Sequence, residues 1–179
     1  MGFPSFASGD VLTATDMNAV GLWLIKTQTV GTAVSSVTVT SAFSSTYDAY
    51  KIVYVGGSSS ADGDIKLTLG STTANYYMIL GYAGWGATTL TVAGTNNGNG
   101  FNNVGSARTT TNSCVVEIFN PFASDETTMG GFFYGGKSNS VGGFFSGFLN
   151  DTTSYTSFTL APSSGTFTGG TIYVYGFKK

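Results

Sequence analysis

The chain has two glutamates, Glu117 and Glu126, whose carboxylates could perform acid–base chemistry. A pair of carboxylates held roughly 5 to 10 Å apart can hydrolyse a glycosidic bond. Glu117, however, alternates with Val116 and Ile118, which is typical of the outward face of a strand. Glu126 follows Asp125 in a predicted loop. The sequence therefore predicts no catalytic residue, and we expect a protein that is not an enzyme.

A short acidic motif and a lone cysteine could each carry other chemistry. The motif Asp62-Gly63-Asp64 offers carboxylate oxygens, which Ca²⁺ prefers, but no bidentate glutamate follows it. We favour the alternative interpretation, a hairpin turn. Cys114 lies beside Val115 in an alternating pattern, and a free cysteine in such a place behaves as a small core hydrophobe. No metal and no cofactor is predicted.

The composition excludes several classes of protein. The 179 residues contain no histidine, so Ser-His-Asp triads, Cys-His pairs and histidine-ligated metals are ruled out. The net charge is −2 and 9% of residues are charged, against roughly 25% in an average domain, so no nucleic-acid partner is expected. The apolar run at residues 22–25 is far below the roughly 20 residues of a membrane helix. We therefore expect neither a membrane span nor an export signal.

The elements that must position these side chains are strands. Ile65, Leu67 and Leu69 alternate with polar residues, which indicates a half-buried strand. The motif Gly-Gly-Phe-Phe occurs at residues 130–133 and again at 142–145, which predicts one hairpin that turns through residues 137–139. Strands are predicted at residues 37–40, 51–55, 64–69, 76–82, 113–119, 128–134, 141–149, 157–160 and 171–177, with weaker candidates at 88–92 and 101–104. So many short strands predict an all-β fold, a jelly-roll-like antiparallel β-sandwich over residues 22–179.

Residues 1–21 form a separate N-terminal arm in this interpretation. Thr13 can cap a short helix that carries Asp16 in its first turn and ends at Gly21. A two-turn helix is not stable alone, so its apolar residues need a surface to dock on. That surface is either the protein's own sandwich or a neighbouring subunit. The apolar arm residues are Phe3, Phe6, Val11, Leu12, Met17 and Val20.

Residues 76–103 contain several aromatic residues and Asn-Gly runs, which suggest a recognition surface as one hypothesis. Aromatic rings supply contact area at small entropic cost, and amides form adaptable hydrogen bonds. A receptor or glycan surface is one interpretation. The alternative is that the aromatic residues belong to the core or to a subunit interface and that the Asn-Gly run is a long turn. The candidate residues are Tyr82, Trp85, Asn97, Asn99 and Phe101.

Oligomerisation is predicted from strands that are apolar on both faces, such as residues 50–55 and 144–148. An isolated sandwich would leave one of these faces in water unless a loop or a second subunit covered it. A closed ring about a threefold axis covers identical patches without open ends. We therefore expect the chain to form a closed oligomer.

Two segments resemble a known class of proteins. Residues 6–18, which read FASGDVLTATDMN, resemble the N-terminal arm of structural proteins from tailed bacteriophages. The closing segments at residues 158–160 and 165–176 resemble the last two strands of small tail-fibre, minor-tail and head-fibre domains. The resemblance implies a virion component, commonly homotrimeric, that is bound to other virion proteins through its arm and present in the host cytoplasm during assembly.

The particular role stays open at this point. A tail-fibre, minor-tail or adhesion component that contacts a host surface glycan is one expectation. A capsid decoration or head-fibre protein, whose arm would dock on the capsid, is an alternative within the same class. A free carbohydrate-binding module, for which the arm would be dispensable, is the alternative from a different class.

Overall fold

The computed structural model describes residues 8–9, 21–134 and 141–178, and every strand pair in it is antiparallel. Within these ranges there is no helix, so none that could cross a membrane. The strands are β1 Leu22–Thr29, β2 Val37–Val39, β3 Tyr47–Gly56, β4 Ser58–Ser59, β5 Gly63–Leu69, β6 Tyr76–Gly84, β7 Thr91–Gly98, β8 Phe101–Ala107, β9 Asn112–Phe119, β10 Thr127–Tyr134, β11 Val141–Leu149, β12 Phe158–Pro162, β13 Phe167–Thr168 and β14 Thr171–Lys178.

Strand β9 is the point where the main sheet divides into two layers. One edge of β9 pairs with β3 along its whole length. The other edge pairs with β8 at Ser113 and Cys114, and with β10 from Val116 to Phe119. One branch gives an eight-stranded layer in the order β1-β14-β3-β9-β10-β11-β6-β7, and the other gives a four-stranded layer in the order β2-β12-β5-β8.

The core lies between these two layers. Phe101 of β8 packs edge-on against Tyr76 of β6, with ring centroids 4.8 Å apart. At the other end of the sandwich, Phe43 lies between Tyr50 of β3 and Phe158 of β12. These rings are buried, and they join one layer to the other. The predicted all-β, antiparallel sandwich is therefore confirmed.

The β10–β11 hairpin confirms the prediction made from the repeated Gly-Gly-Phe-Phe motif. Gly131 pairs with Phe145, and Phe133 pairs with Gly143. A Cβ atom built on Gly131 would lie 2.6 Å from Cζ of Phe145, and one built on Gly143 would lie 2.8 Å from Cε1 of Phe133. Each inward phenylalanine ring therefore covers the glycine of the opposite strand. The predicted turn residues 137–139 lie outside the described residues.

Most predicted strands are present, and the differences have local causes. The candidate at residues 88–92 is wrong in its bounds, because the strand runs instead over Thr91–Gly98 and includes most of the Asn-Gly run. The sequence does not predict strand β1, since the four apolar residues of Leu22–Thr29 are consecutive and four polar residues follow them, so the segment lacks alternation. The predicted arm helix lies outside the described residues, as do Phe3, Phe6, Val11, Leu12, Met17 and Val20.

Candidate functional site on the outer face of the eight-stranded layer

The two layers present different outer faces to solvent. On the four-stranded layer, Lys66 and Thr68 alternate with the buried residues of β5. The hydroxyl groups of Thr38 and Thr159, on paired strands, lie 2.8 Å apart and hydrogen-bond to each other. This face is polar and its hydroxyls are partly satisfied within the protein, as expected for a surface in contact with water.

The eight-stranded layer has an apolar outer face. Phe132 pairs with Phe144, Phe144 with Gly81, and Gly81 with Val92, so the four residues lie side by side across β10, β11, β6 and β7. The exposed fractions are 78% for Phe132, 47% for Phe144 and 67% for Val92. We call these four residues the apolar row. Large exposed apolar patches of this kind mark interaction surfaces.

The β6–β7 hairpin extends this apolar surface to the edge of the layer. Six of the eight residues of β7 are exposed, and β7 pairs only with β6 among the described strands. Trp85, in the loop after β6, lies above Gly142 and is 66% exposed. Leu90, which precedes β7, is also exposed. An edge strand with free backbone groups and apolar neighbours is a template for pairing with another chain.

A cleft of about 660 Å³ opens on the same face, toward the other end of β6 and β11. Tyr77 and Phe148 pair across these strands, and their rings stack with centroids 4.8 Å apart and planes 9° apart. We call this feature the outer cleft. Its polar lining comes from three strands and one loop. The residues that carry side-chain hydrogen-bonding groups beside the two rings are Thr95, Asn96, Glu126, Thr128 and Ser146.

A second, smaller cavity of about 330 Å³ lies at the mouth between the layers. Asp64 and Lys66 of β5 and Asn102 of β8 contribute polar groups to it, and no aromatic side chain lines it. Of these two cavities, the outer cleft is the one that combines flat aromatic surface with polar side chains.

The predicted recognition residues are not brought together. Trp85 follows the last residue of β6, whereas Asn97 lies close to the pairing partner of Tyr76, the first residue of that strand. Asn97 has a positive φ of 55°, and its Oδ1 accepts a hydrogen bond of 2.9 Å from the Asn75 amide, so it shapes a strand bulge. Asn99 lies in the short β7–β8 turn.

Two members of that predicted set belong to the interior. Phe101 is fully buried, so its assignment to a recognition surface is wrong and the core interpretation is correct. Tyr82 is half-buried and packs against the core. The physical reason is alternation along a strand: Tyr82 shares the inward face of β6 with Tyr76 and Met78, so its ring follows theirs.

The two glutamates lie apart. Glu117 is on the outward face of β9, and its carboxylate lies 3.8 Å from Nζ of Lys51. Glu117 is aligned with Gly130 of β10, and Glu126 precedes Gly130 by four residues. Four residues of strand span roughly 13 Å. The two glutamates are therefore offset along the outer face, and the ion-pair partner of Glu117 is Lys51.

The Asp62 carboxylate stabilises the turn between β8 and β9. It accepts hydrogen bonds from the amide and hydroxyl of Thr109, at 2.8 and 3.1 Å, and lies 3.4 Å from Nη2 of Arg108. These hydrogen bonds, the backbone one first, lower the pKa of Asp62. Within the described ranges, no group of three or more Cys, Asp or Glu side chains could hold a metal ion.

Cys114 is buried among the core residues, and this burial raises the pKa of its thiol to about 12. Next to it, Asn112 holds a polar network inside the sandwich. Its Oδ1 accepts from the Ser59 hydroxyl at 2.8 Å and from the Arg108 amide at 3.0 Å, and its Nδ2 donates to the Tyr54 hydroxyl at 2.9 Å. Burial raises the pKa of Tyr54, so this hydroxyl stays protonated. These groups have structural roles.

The outer cleft was missed from the sequence. The pair Tyr76-Tyr77 does indicate an exposed aromatic ring, because alternation along a strand must place one of the two rings in the core and the other on the outer face. Which residue of β11 would lie beside Tyr77 depends on the strand register, which no short-range pattern of this chain reveals. From the sequence, Glu126 is a candidate only as half of a carboxylate pair.

Comparisons of this chain with models of known protein families, with curated proteins and with solved structures find no match. The resemblance of its termini to phage virion proteins therefore stays a prediction.

Proposed function

We propose that this chain is a non-enzymatic structural protein of a tailed-phage virion: a homotrimeric tail-fibre, minor-tail or adhesion component that is attached by residues 1–21. A jelly-roll-like connection of the strands and a short helix in the arm are part of this proposal. The resemblance of residues 6–18 and 165–176 supports the class of protein.

The observation that supports assembly is the apolar outer face of the eight-stranded layer. Phe132 and Val92 are mostly exposed and lie in one row, while the outer face of the four-stranded layer carries Thr and Lys. A second copy of the chain fits the apolar row, because a closed ring buries the same patch on every subunit and leaves no open end. The low charge of the chain favours such contacts, since few ions must be desolvated.

The solution mass tests this proposal. Light scattering is applied to the full chain and to a chain that lacks residues 1–21, both purified in the same buffer. We expect three times the respective chain mass in both cases, with a chain mass of 18.5 kDa for the full protein, because the arm serves attachment and the row serves assembly. A monomer in both preparations would contradict the homotrimer and would favour the free carbohydrate-binding module.

The capsid decoration or head-fibre alternative shares the trimer and differs in the arm's partner. Pull-down of phage capsid or tail proteins by the full chain, compared with the chain lacking residues 1–21, distinguishes the tail component from the capsid decoration or head-fibre protein. Retention of tail proteins supports the tail component, and retention of capsid proteins supports the decoration protein.

A further inference from the structure

We infer that the outer cleft is a binding site for a neutral saccharide, in which one hexose ring packs on the Tyr77–Phe148 pair and its hydroxyl groups bind the surrounding polar side chains. The cleft is built from one subunit, so this inference does not rest on the proposed assembly or on the virion assignment.

The aromatic pair supplies the flat surface. Tyr77 and Phe148 stand side by side on the outer face, with their planes only 9° apart, and both are part of the cleft lining. Their mutual stacking holds the rings upright, so little side-chain entropy is lost when a ligand binds. Because the rings stack on each other, each covers one face of its partner and leaves the other face for a ligand. A pyranose ring presents a face of C–H groups, and such a face is attracted to the negative outer face of one of these rings.

The polar groups around the rings have unused hydrogen-bonding capacity. Within the part of the chain that the structure describes, the side chains of Asn96, Glu126, Thr128 and Ser146 make no hydrogen bond or ion pair with the protein. Together they offer an amide, a carboxylate and two hydroxyls, which match the mixed donors and acceptors of a sugar. The outer hydroxyls of Thr38 and Thr159 on the other layer, by contrast, bind each other.

The charge of the cleft lining favours a neutral saccharide over an anionic one. Glu126 is the one ionisable acid that lines the cleft, Asp125 precedes it in the chain, and no Lys or Arg is part of the lining. An anionic saccharide would bring like charges together in a partly enclosed site, which is unfavourable. A neutral ring has no such penalty, and its hydroxyls donate well to a carboxylate.

The volume and the chemistry favour binding of the sugar without cleavage. About 660 Å³ is within the roughly 300 to 1,000 Å³ of small-molecule sites and accommodates a hexose with a neighbouring ring. Hydrolysis of a glycoside generally needs two carboxylates, and Glu126 is the single carboxylate in the lining.

The test is binding of simple sugars to the full chain. Saturation-transfer NMR and titration calorimetry use methyl glucoside, methyl galactoside, N-acetylglucosamine and lactose as neutral probes, and glucuronic acid as the anionic comparator. We expect dissociation constants of about 1 to 10 mM for at least one neutral probe, as is reasonable for a small polar ligand. Glucuronic acid should bind at least about tenfold more weakly than that probe.

Two variants and a matched control locate the site. Phe148→Ala removes one stacking ring, and Glu126→Gln removes the charge from an exposed turn residue that does not support the core. Each is expected to weaken binding at least about tenfold. Phe132→Ala removes an exposed ring from the same face but outside the cleft, so sugar binding should be unchanged. If Phe148→Ala fails to fold, sugar binding by the Glu126→Gln protein decides whether the cleft is the site.

Three results would overturn the inference: no neutral probe binds, the Glu126→Gln protein binds as tightly as the wild type, or glucuronic acid binds as tightly as the neutral sugars. The solution mass of every variant is recorded in parallel. Loss of the trimer with intact sugar binding in Phe132→Ala would show that assembly and sugar binding are independent. Loss of sugar binding with an intact trimer in Glu126→Gln would show the same, so that failure of the assembly proposal can be told from failure of the saccharide proposal.

Discussion

Cys114 illustrates how burial controls the reactivity of a residue. The thiol is enclosed by the core, and burial raises its pKa to about 12, so almost no thiolate exists at neutral pH. We expect the native protein not to react with a chromogenic disulfide reagent at pH 8. After unfolding in guanidinium, each chain should react once and release one equivalent of the reagent's thiol. The Cys114→Ala protein serves as the blank. Fast stoichiometric reaction of the folded protein would contradict this placement.

Asp62 makes the free energy of unfolding depend on pH in the acidic range. Its pKa is lowered in the folded protein, chiefly by the hydrogen bond from the Thr109 amide. A lowered folded-state pKa contributes stability above the unfolded value of about 3.9, and this contribution is lost as pH falls through the folded pKa. We expect the urea midpoint of Asp62→Asn to lie below that of the wild type at pH 7. The two midpoints should converge near pH 2, and an equal difference at both pH values would refute the explanation.

The roles of individual residues were predictable where one strand's own alternation decides them. The inward positions of Ile65, Leu67 and Leu69 and the burial of Cys114 follow from patterns within a few residues. Phe101 was placed wrongly because aromatic residues beside Asn and Gly occur both in cores and in binding surfaces. Its burial depends on Tyr76 and on β11 lying over it, which is a long-range arrangement.

At the scale of elements, the β10–β11 hairpin allows a matched pair of substitutions. A Cβ on Gly143 would overlap the Gly81 carbonyl and lie 2.8 Å from the Phe133 ring, whereas a Cβ on Gly130 would meet nothing closer than 3.4 Å. We expect Gly143→Ala to lower the free energy of unfolding by about 1 to 3 kcal/mol, because overpacking forces neighbouring atoms to move.

Gly130→Ala is the control, with an expected change within about 0.5 kcal/mol, as is usual for an open surface position. Both variants are measured by urea unfolding in the same buffer. Equal destabilisation would show that the loss of glycine itself, and not the crowding at Gly143, weakens the hairpin.

Strands with strong alternation were predicted nearly to the residue, and β7 was not. Its C-terminal part is an Asn-Gly run, which is typical of turns, yet it pairs with β6 through a register shift opposite Tyr76 and Met78. Asn97 adopts a positive φ there, as asparagine does more readily than most residues. The tertiary pairing with β6 therefore overrides the local turn preference.

At the scale of the whole molecule, the apolar row should control assembly. The double variant Phe132→Ser, Phe144→Ser removes the two rings that lie side by side on the outer face. If the chain assembles as we propose, the solution mass of this variant falls from the trimer toward the monomer, since each buried phenylalanine contributes roughly 1.5 to 3 kcal/mol. Light scattering at several protein concentrations provides the measurement.

A double variant on the opposite face is the control. Thr38→Ala, Thr159→Ala removes both partners of one hydrogen bond from the polar layer, which costs little because no group is left unpaired. Its mass should equal that of the wild type. Dissociation of this control, or a trimer that persists in the Phe132→Ser, Phe144→Ser protein, would locate the subunit interface elsewhere.

The all-β class, the polar and apolar faces of most strands and the β10–β11 hairpin were readable from this chain without its structure, because each depends on contacts between residues close in sequence. The division of the sheet at β9, the alignment of the apolar row and the meeting of Tyr77, Phe148 and Glu126 were not. These features depend on register between strands that are distant in the chain. A shift of one residue would move every side chain to the opposite face, and only the packing of the complete sandwich selects among the registers.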